Sequence, residues 1–318
     1  MAGKTVSQYP GGFANGITIR GVPLQILHPG KVFWVNNSSV LAPGGIGGSD
    51  GNDGSYLRPF STLDYAIGKC TANRGDVIVL MPGHAENLAT AGAIVSDVAG
   101  VAVVGLGAGS KRPKFSWTAA AADWDMTVAN LTFYNVEFQA NFADVTSGID
   151  ISGVQGITFD SCFFTEAGTD LNWVEVVNVA TGASELTFAN CKFITNDAAN
   201  DSHIAMVATD GFYVDNCYFA ANTAQTSVVG LVYASGNVTN AIITNSRFRS
   251  NIDGALWVDF DGAACSGFVD NCYVSSIDTA GATSTGDFTG GHFFECYVSG
   301  EANAFGLVGG GGVVYNDA

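Results

Sequence analysis

A six-residue segment that occurs seven times constrains this chain more than anything else in it. It reads LTFYNV at 131–136, ITFDSC at 157–162, LTFANC at 186–191, FYVDNC at 212–217, AIITNS at 241–246, GFVDNC at 267–272 and GHFFEC at 291–296. The final letters lie at 136, 162, 191, 217, 246, 272 and 296, giving steps of 26, 29, 26, 29, 26 and 24 residues. A nearly constant step of that size marks a solenoid, whose units bury their apolar residues only by stacking on one another.

The columns of the repeat say which solenoid. With the final letter as anchor, apolar residues stand five and three places before it, at it, and two places after it; the last column is Phe138, Phe164, Phe193, Phe219, Phe248, Val274 and Val298. Both pairs alternate with period two, as strands do, but the alternation slips by one residue between them. The slip falls on Asn135, Ser161, Asn190, Asn216, Asn245, Asn271 and Glu295. A slip without a bend would turn every later side chain inside out, and Asn is a side chain that tolerates the left-handed conformation a bend needs. Stacked coils would set these amides about 4.8 Å apart, close enough for a hydrogen-bonded ladder.

These columns resemble the right-handed parallel β-helix, the pectate-lyase-like fold, with its inward aliphatic, aromatic and Cys ladders and an Asn ladder at a two-residue bend. The resemblance covers roughly residues 57 to 310 and implies the architecture, not an activity. PFSTLDYAI at 59–67 followed by GDVIVLMPG at 75–83 resembles the opening turns of many β-helices, including those of phage particle proteins.

Composition suits one elongated all-β domain: 41 glycines for tight turns and only 13% charged residues among 318. A net charge of −17 with 12 Lys and Arg argues against binding nucleic acid. Five of seven cysteines, Cys162, Cys191, Cys217, Cys272 and Cys296, occupy the inward anchor column, which makes them small buried hydrophobes rather than a disulfide framework. No CxxC or Cys/His set suggests zinc, and no cofactor or metal is expected. No apolar run is long enough for a bilayer and MAGKTVSQYPGG lacks a signal-peptide core, so neither a membrane partner nor secretion is expected.

Two regions divide the chain, an N-terminal arm over 1–56 and the β-helix over 57–318. In the arm, 16–20, 22–26 and 31–35 read as short strands without the repeat, and PGGIGGSDGNDGS at 43–55 reads as a flexible connection; Asp50, Asn52 and Asp53 resemble a calcium loop only faintly. At 61–70, Leu63, Ala66, Ile67 and Cys70 share one helical face behind Ser61 as N-cap, which predicts a short helix covering the open end of the coil. A second apolar stretch precedes most anchor strands, at 174–177, 204–207, 228–232 and 255–258. It reads as apolar on both faces, which predicts a homotrimer joined through Val176, Met206, Leu231 and Trp257.

Candidate chemistry is sparse. Asp215 and Asp270 share an offset on alternate coils, about 10 Å apart by stacking distance, with Arg247 and Arg249 on the coil between; a glycosidase wants its carboxyls about 5 Å or about 6.5 to 9.5 Å apart. Solvated, salt-bridged surface charge is the plainer reading of Asp215, Arg247 and Asp270. His28, His84, His203 and His292 are scattered, and Trp173, Tyr233 and Trp257 suit either sugar stacking or a subunit interface. With chemistry this sparse, the resemblance to the β-helices of phage particle proteins implies a non-enzymatic virion protein, a trimeric phage capsid decoration or cement protein made in the host cytoplasm. It would dock to the major capsid protein through Ile17, Ile19, Leu24, Phe33 and Trp34. The alternative is a carbohydrate-active β-helix, a tailspike-like depolymerase or polysaccharide lyase, with a glycan as partner.

Overall fold

The computed structural model describes residues 18–19, 22–23, 30–38, 42–197, 202–222, 230–250, 256–276, 285–288, 290–299, 306–308 and 314–316. Its architecture is a right-handed parallel β-helix. Three parallel sheets run its length, with ten, ten and nine strands among the described residues. The first sheet starts at Val32–Val35 and ends at Gly291–Phe294, and it carries the front half of each repeat. The second runs from Ala85–Leu88 to Val314–Asn316 and the third from Ile94–Ser96 to Gly306–Val308. Each coil visits the sheets in that order, and a parallel crossover is right-handed for the steric reasons that twist strands.

All seven slip residues occupy the left-handed region, from φ 57° at Ser161 to φ 42° at Glu295. The bend they make turns the chain from the first sheet into the second while both flanking apolar pairs stay inside. Pairing is in register: Phe133, Phe159, Phe188, Val214, Ile243, Val269 and Phe293 stand one above another. In the second sheet Phe138, Phe164, Phe193, Phe219 and Phe248 stack at 4.9, 4.3, 4.8 and 4.9 Å with rings within 10° of parallel. The strand spacing and the ring spacing coincide, so rung pairing and aromatic packing reinforce each other. The five anchor cysteines are 0 to 2% exposed within this core.

At the N-terminal end the structure departs from the expected boundary. Val32–Val35 pairs in parallel with Val77–Leu80 and is the first rung of the solenoid, not part of an arm. Phe33 packs on Phe60 at 5.8 Å and Trp34 meets Tyr56 edge-on at 4.9 Å, so both half-buried rings are built into the cap. The 43–55 loop is built into the cap, not a loose connection. A Cβ on Gly48 would fall 1.7 Å from the Asn36 carbonyl oxygen, and the Asp50 carboxylate accepts N–H bonds from Ser61 at 2.9 Å and Thr62 at 3.1 Å. That carboxylate, with Glu86 accepting from the Leu63 N–H at 2.7 Å, satisfies the start of helix Leu63–Ile67. Thr62, not Ser61, is its N-cap, and its side chain makes no capping bond. Leu63, Ala66 and Ile67 are buried as the helical spacing predicts. His84 completes the cap, accepting from the Asn37 N–H at Nδ1 (3.1 Å) and facing Glu86 with Nε2 at 2.8 Å. No helix among the described residues is long and apolar enough to cross a membrane.

Candidate functional site

Val176, Met206, Leu231 and Trp257 are all in the core of the single chain, 0 to 2% exposed. The reading of these strands as apolar on both faces is corrected. Consecutive residues, Val176 with Val177, Leu231 with Val232 and Trp257 with Val258, both belong to the interior cluster. Trp257 packs against Phe248 at 5.2 Å and Phe293 at 5.4 Å, and Trp173 is fully buried with its indole N–H donating to the Thr165 carbonyl at 2.9 Å. None of these rings reaches a sugar. Of the expected docking residues, Ile17 and Leu24 lie outside the described residues, and Ile19 lies in the strand Thr18–Ile19, which pairs antiparallel with Val22–Pro23.

The charged columns assemble differently. The bend between the first and second sheets leaves an open groove of about 600 Å³ lined by Asn190, Lys192, Asn216, Tyr218, Asn245, Arg247, Asn271 and Tyr273. Its floor is the amide ladder. Asn216 Nδ2 donates to Asn190 Oδ1 at 2.8 Å, and Asn190 Nδ2 to Asp160 Oδ1 at 2.9 Å. Asn271 Nδ2 donates to Asn245 Oδ1 at 2.8 Å, and Asn245 Nδ2 to Asp215 Oδ1 at 2.7 Å. Two of the carboxylates thus end runs of amides. The Asp215 oxygen also accepts from Thr244 Oγ1 at 2.8 Å, which makes it a rung end and not a poised acid or base. Among the described residues Arg247 pairs with neither Asp215 nor Asp270 in an ion pair; its guanidinium lies 5.9 Å from the Tyr273 ring centre. The salt-bridged surface ladder is corrected on this point.

One wall of the groove is a single outward column of the second sheet: Phe163, Lys192, Tyr218, Arg247, Tyr273 and Tyr297, paired rung to rung. Arg112 lies 3.5 Å over the Phe163 ring and Lys192 5.1 Å from it, while Tyr273 and Tyr297 stack at 5.0 Å. Tyr273 is 50% exposed and Tyr297 38%, so part of each ring meets solvent although the two stack on one another. The six Lys and Arg beyond residue 100, namely Lys111, Arg112, Lys114, Lys192, Arg247 and Arg249, all lie on or just ahead of strands of this sheet. On a chain of net charge −17 that gathers cations on the face that also carries the aromatic rings, with Asp160, Asp215 and Asp270 across the bend from them.

A second cluster sits where the chain enters the third sheet. Asp123, Asp125 and Asp150 bring carboxylate oxygens within 4.8 Å of one another beside a cavity of about 250 Å³ walled by Ala91, Ala120, Ala121 and Ala122. Burial first, then the neighbouring carboxylates, raise Asp125; burial also raises Asp150, against the Ser147 hydroxyl that donates to it at 2.8 Å. Oxygen-only ligands of this kind suit a hard divalent cation such as calcium. The trio makes no motif in the sequence, because Asp123 and Asp125 lie on one coil and Asp150, in register with Asp125, on the next.

The fold and groove define a right-handed parallel β-helix with an aromatic and basic outer face. A family profile described as "Right handed beta helix region" matches residues 121–266. No curated protein matches. Among solved structures, a rhamnogalacturonan lyase is similar over 84% of this chain and 75% of its own, at 12% identity and a TM-score of 0.42. The expectation of a non-enzymatic chain is withdrawn, since the parallel β-helix architecture gives no ground for excluding catalysis. A place on a virus particle draws no support from the fold, the groove or these matches.

Proposed function

We propose that this chain is a carbohydrate-active β-helix that holds an acidic polysaccharide along the groove between its first and second sheets. The observation that carries the reading is the outward column Phe163, Lys192, Tyr218, Arg247, Tyr273 and Tyr297, in which rings and cations interleave at rung spacing. Rings present apolar faces to sugars, and Lys or Arg pair with uronate carboxylates through charge-assisted hydrogen bonds. Protein ligands of such a column would have to be flat and extended, whereas a glycan follows a one-dimensional ladder by its nature.

The chemistry the groove suits is elimination. A cation on a uronate carboxylate acidifies the neighbouring C5–H; a base takes that proton, the C4–O bond breaks toward the leaving sugar, and a C4=C5 double bond forms. Arg247 supplies the cation, and the Tyr218 and Tyr273 side chains on the rungs either side of it exchange the protons, one taking the C5 proton as base and the other giving a proton to the departing C4 oxygen. Hydrolysis by Asp215 and Asp270 is disfavoured, because two rungs separate them and Asp215 is bound into the amide ladder.

Affinity electrophoresis in gels containing polygalacturonate tests binding. The wild-type chain should be retarded and Lys192→Ala with Arg247→Ala should run free, while a neutral glucan gel should retard neither. Migration unchanged by every acidic glycan tried overturns the reading. Cleavage is read separately, as ultraviolet absorbance from the unsaturated uronate, expected from wild type and lost in Arg247→Ala.

A further inference from the structure

The groove has a period of two coils, not one. Asp160, Asp215 and Asp270 recur every 55 residues, as do Phe163, Tyr218 and Tyr273, and as do Lys192 and Arg247. Register places these residues on alternating rungs. Over the five rungs from Asp160 to Tyr273, those with an aromatic ring on the second sheet carry Asp on the first: Asp160 with Phe163, Asp215 with Tyr218, Asp270 with Tyr273; beyond them the Phe294 and Tyr297 rung leaves the pattern. Rungs with a cation carry a small neutral residue instead, Ala189 with Lys192 and Thr244 with Arg247.

We propose that this alternation selects a polysaccharide with a two-sugar repeat in which every second sugar is anionic, an inference that rests on the glycan-binding reading above. A sugar carboxylate over an aromatic rung meets Asp and is repelled; one rung further it meets Lys or Arg with no acid opposite. A neutral sugar over an aromatic rung packs against the exposed part of the ring and donates a hydroxyl hydrogen bond to the Asp on the other side of the bend. One pyranose advances an extended glycan by close to one rung, so the cations fall about 10 Å apart, at every second sugar. A polymer charged at every sugar puts half its carboxylates against Asp160, Asp215 and Asp270.

Titration calorimetry of the full chain at low salt tests this with length-matched oligosaccharides of hyaluronan, charged at alternate sugars, and of polygalacturonate, charged at all. The decisive comparison is wild type against Tyr218→Lys, because each ligand is then its own control for linkage and stereochemistry. Tyr218→Lys puts cations on three successive rungs. It should shift the affinity ratio toward polygalacturonate by about ten-fold, the worth of one charge-assisted hydrogen bond. Lys already occupies this column at Lys114 and Lys192, so the strand accepts the substitution. Arg247→Tyr gives an independent arm: it should weaken the alternating ligand most. An unmoved ratio in Tyr218→Lys, or tightest binding of polygalacturonate by wild type, overturns the two-sugar proposal while leaving glycan binding intact. Binding of neither acidic ligand overturns both.

Discussion

Glu166 shows how a single side chain in this coil sets a pH dependence. It ends the strand Phe163–Glu166, is 8% exposed, and accepts backbone N–H bonds from Trp173 at 3.3 Å, Asn196 and Asp197 at 3.2 Å. Burial outweighs these donors and pushes the carboxyl up to about 7. The folded state then binds this proton more tightly than the unfolded chain, so the contribution is full below the ordinary glutamate range and is lost as pH rises toward 7. Glu166→Gln should therefore flatten the decline in melting temperature between pH 4.5 and 7, by at most about 3 kcal/mol of unfolding free energy; parallel curves for the two proteins would refute it. His203 is the opposite case, held neutral by complete burial that takes it down to about 3, with Nε2 at 3.0 Å from Thr195 Oγ1. The thiols make a simpler prediction. Five stand in the inner column at 0 to 2% exposure, so the native chain should react slowly with a thiol reagent and all seven should react on unfolding. Rapid modification of Cys191 or Cys217 in native protein would contradict the register.

At the scale of the strand and its bend, the five asparagines among the seven left-handed slip residues do two separable jobs: they turn the chain and they bond along the stack. Asn216→Gly keeps the turn and loses the amide, whereas Asn216→Ala loses both and strains a φ of 51° by about 1–2 kcal/mol more. Denaturant melts should rank wild type above Gly above Ala, and equal stability of the two variants would show that the bend costs nothing. These bends were legible in the sequence because a one-residue slip between two period-two runs has few structural solutions. The third sheet was not, since Val176–Val177 and Trp257–Val258 read as facing opposite ways when in fact both residues of each pair enter the core. Trp257→Asp should accordingly unfold the monomer rather than part subunits, seen as loss of the cooperative melt. The acidic trio escaped because it joins Asp123 and Asp125 of one coil to Asp150, in register with Asp125, on the next and lies outside the six-residue repeat, and the cap because Asp50 and Glu86 reach helix Leu63–Ile67 from 12 and 23 residues away. The interleaving in the groove escaped for a different reason: it is visible only when two columns, one on each side of the bend, are followed together.

For the whole molecule, the location of the first rung changes what truncation should do. Removing residues 1–36 deletes Val32–Val35, strips the edge of Val77–Leu80 and leaves Phe60 without Phe33. The expected outcome is aggregation through the bared edge, detected by sedimentation, where a sequence boundary at residue 56 had promised an intact coil; a truncated chain that stays monodisperse would restore that boundary. The two-coil period in the groove carries a consequence for how such a chain can lengthen or shorten. Each rung is structurally equivalent to its neighbours, so the fold would tolerate losing one. The groove would not, because every rung beyond the excision would fall out of phase with those before it, bringing like beside like at the seam. Removing 55 residues restores the order and removing 26 or 29 inverts it, so in this molecule parity, which means nothing to the core, governs the surface.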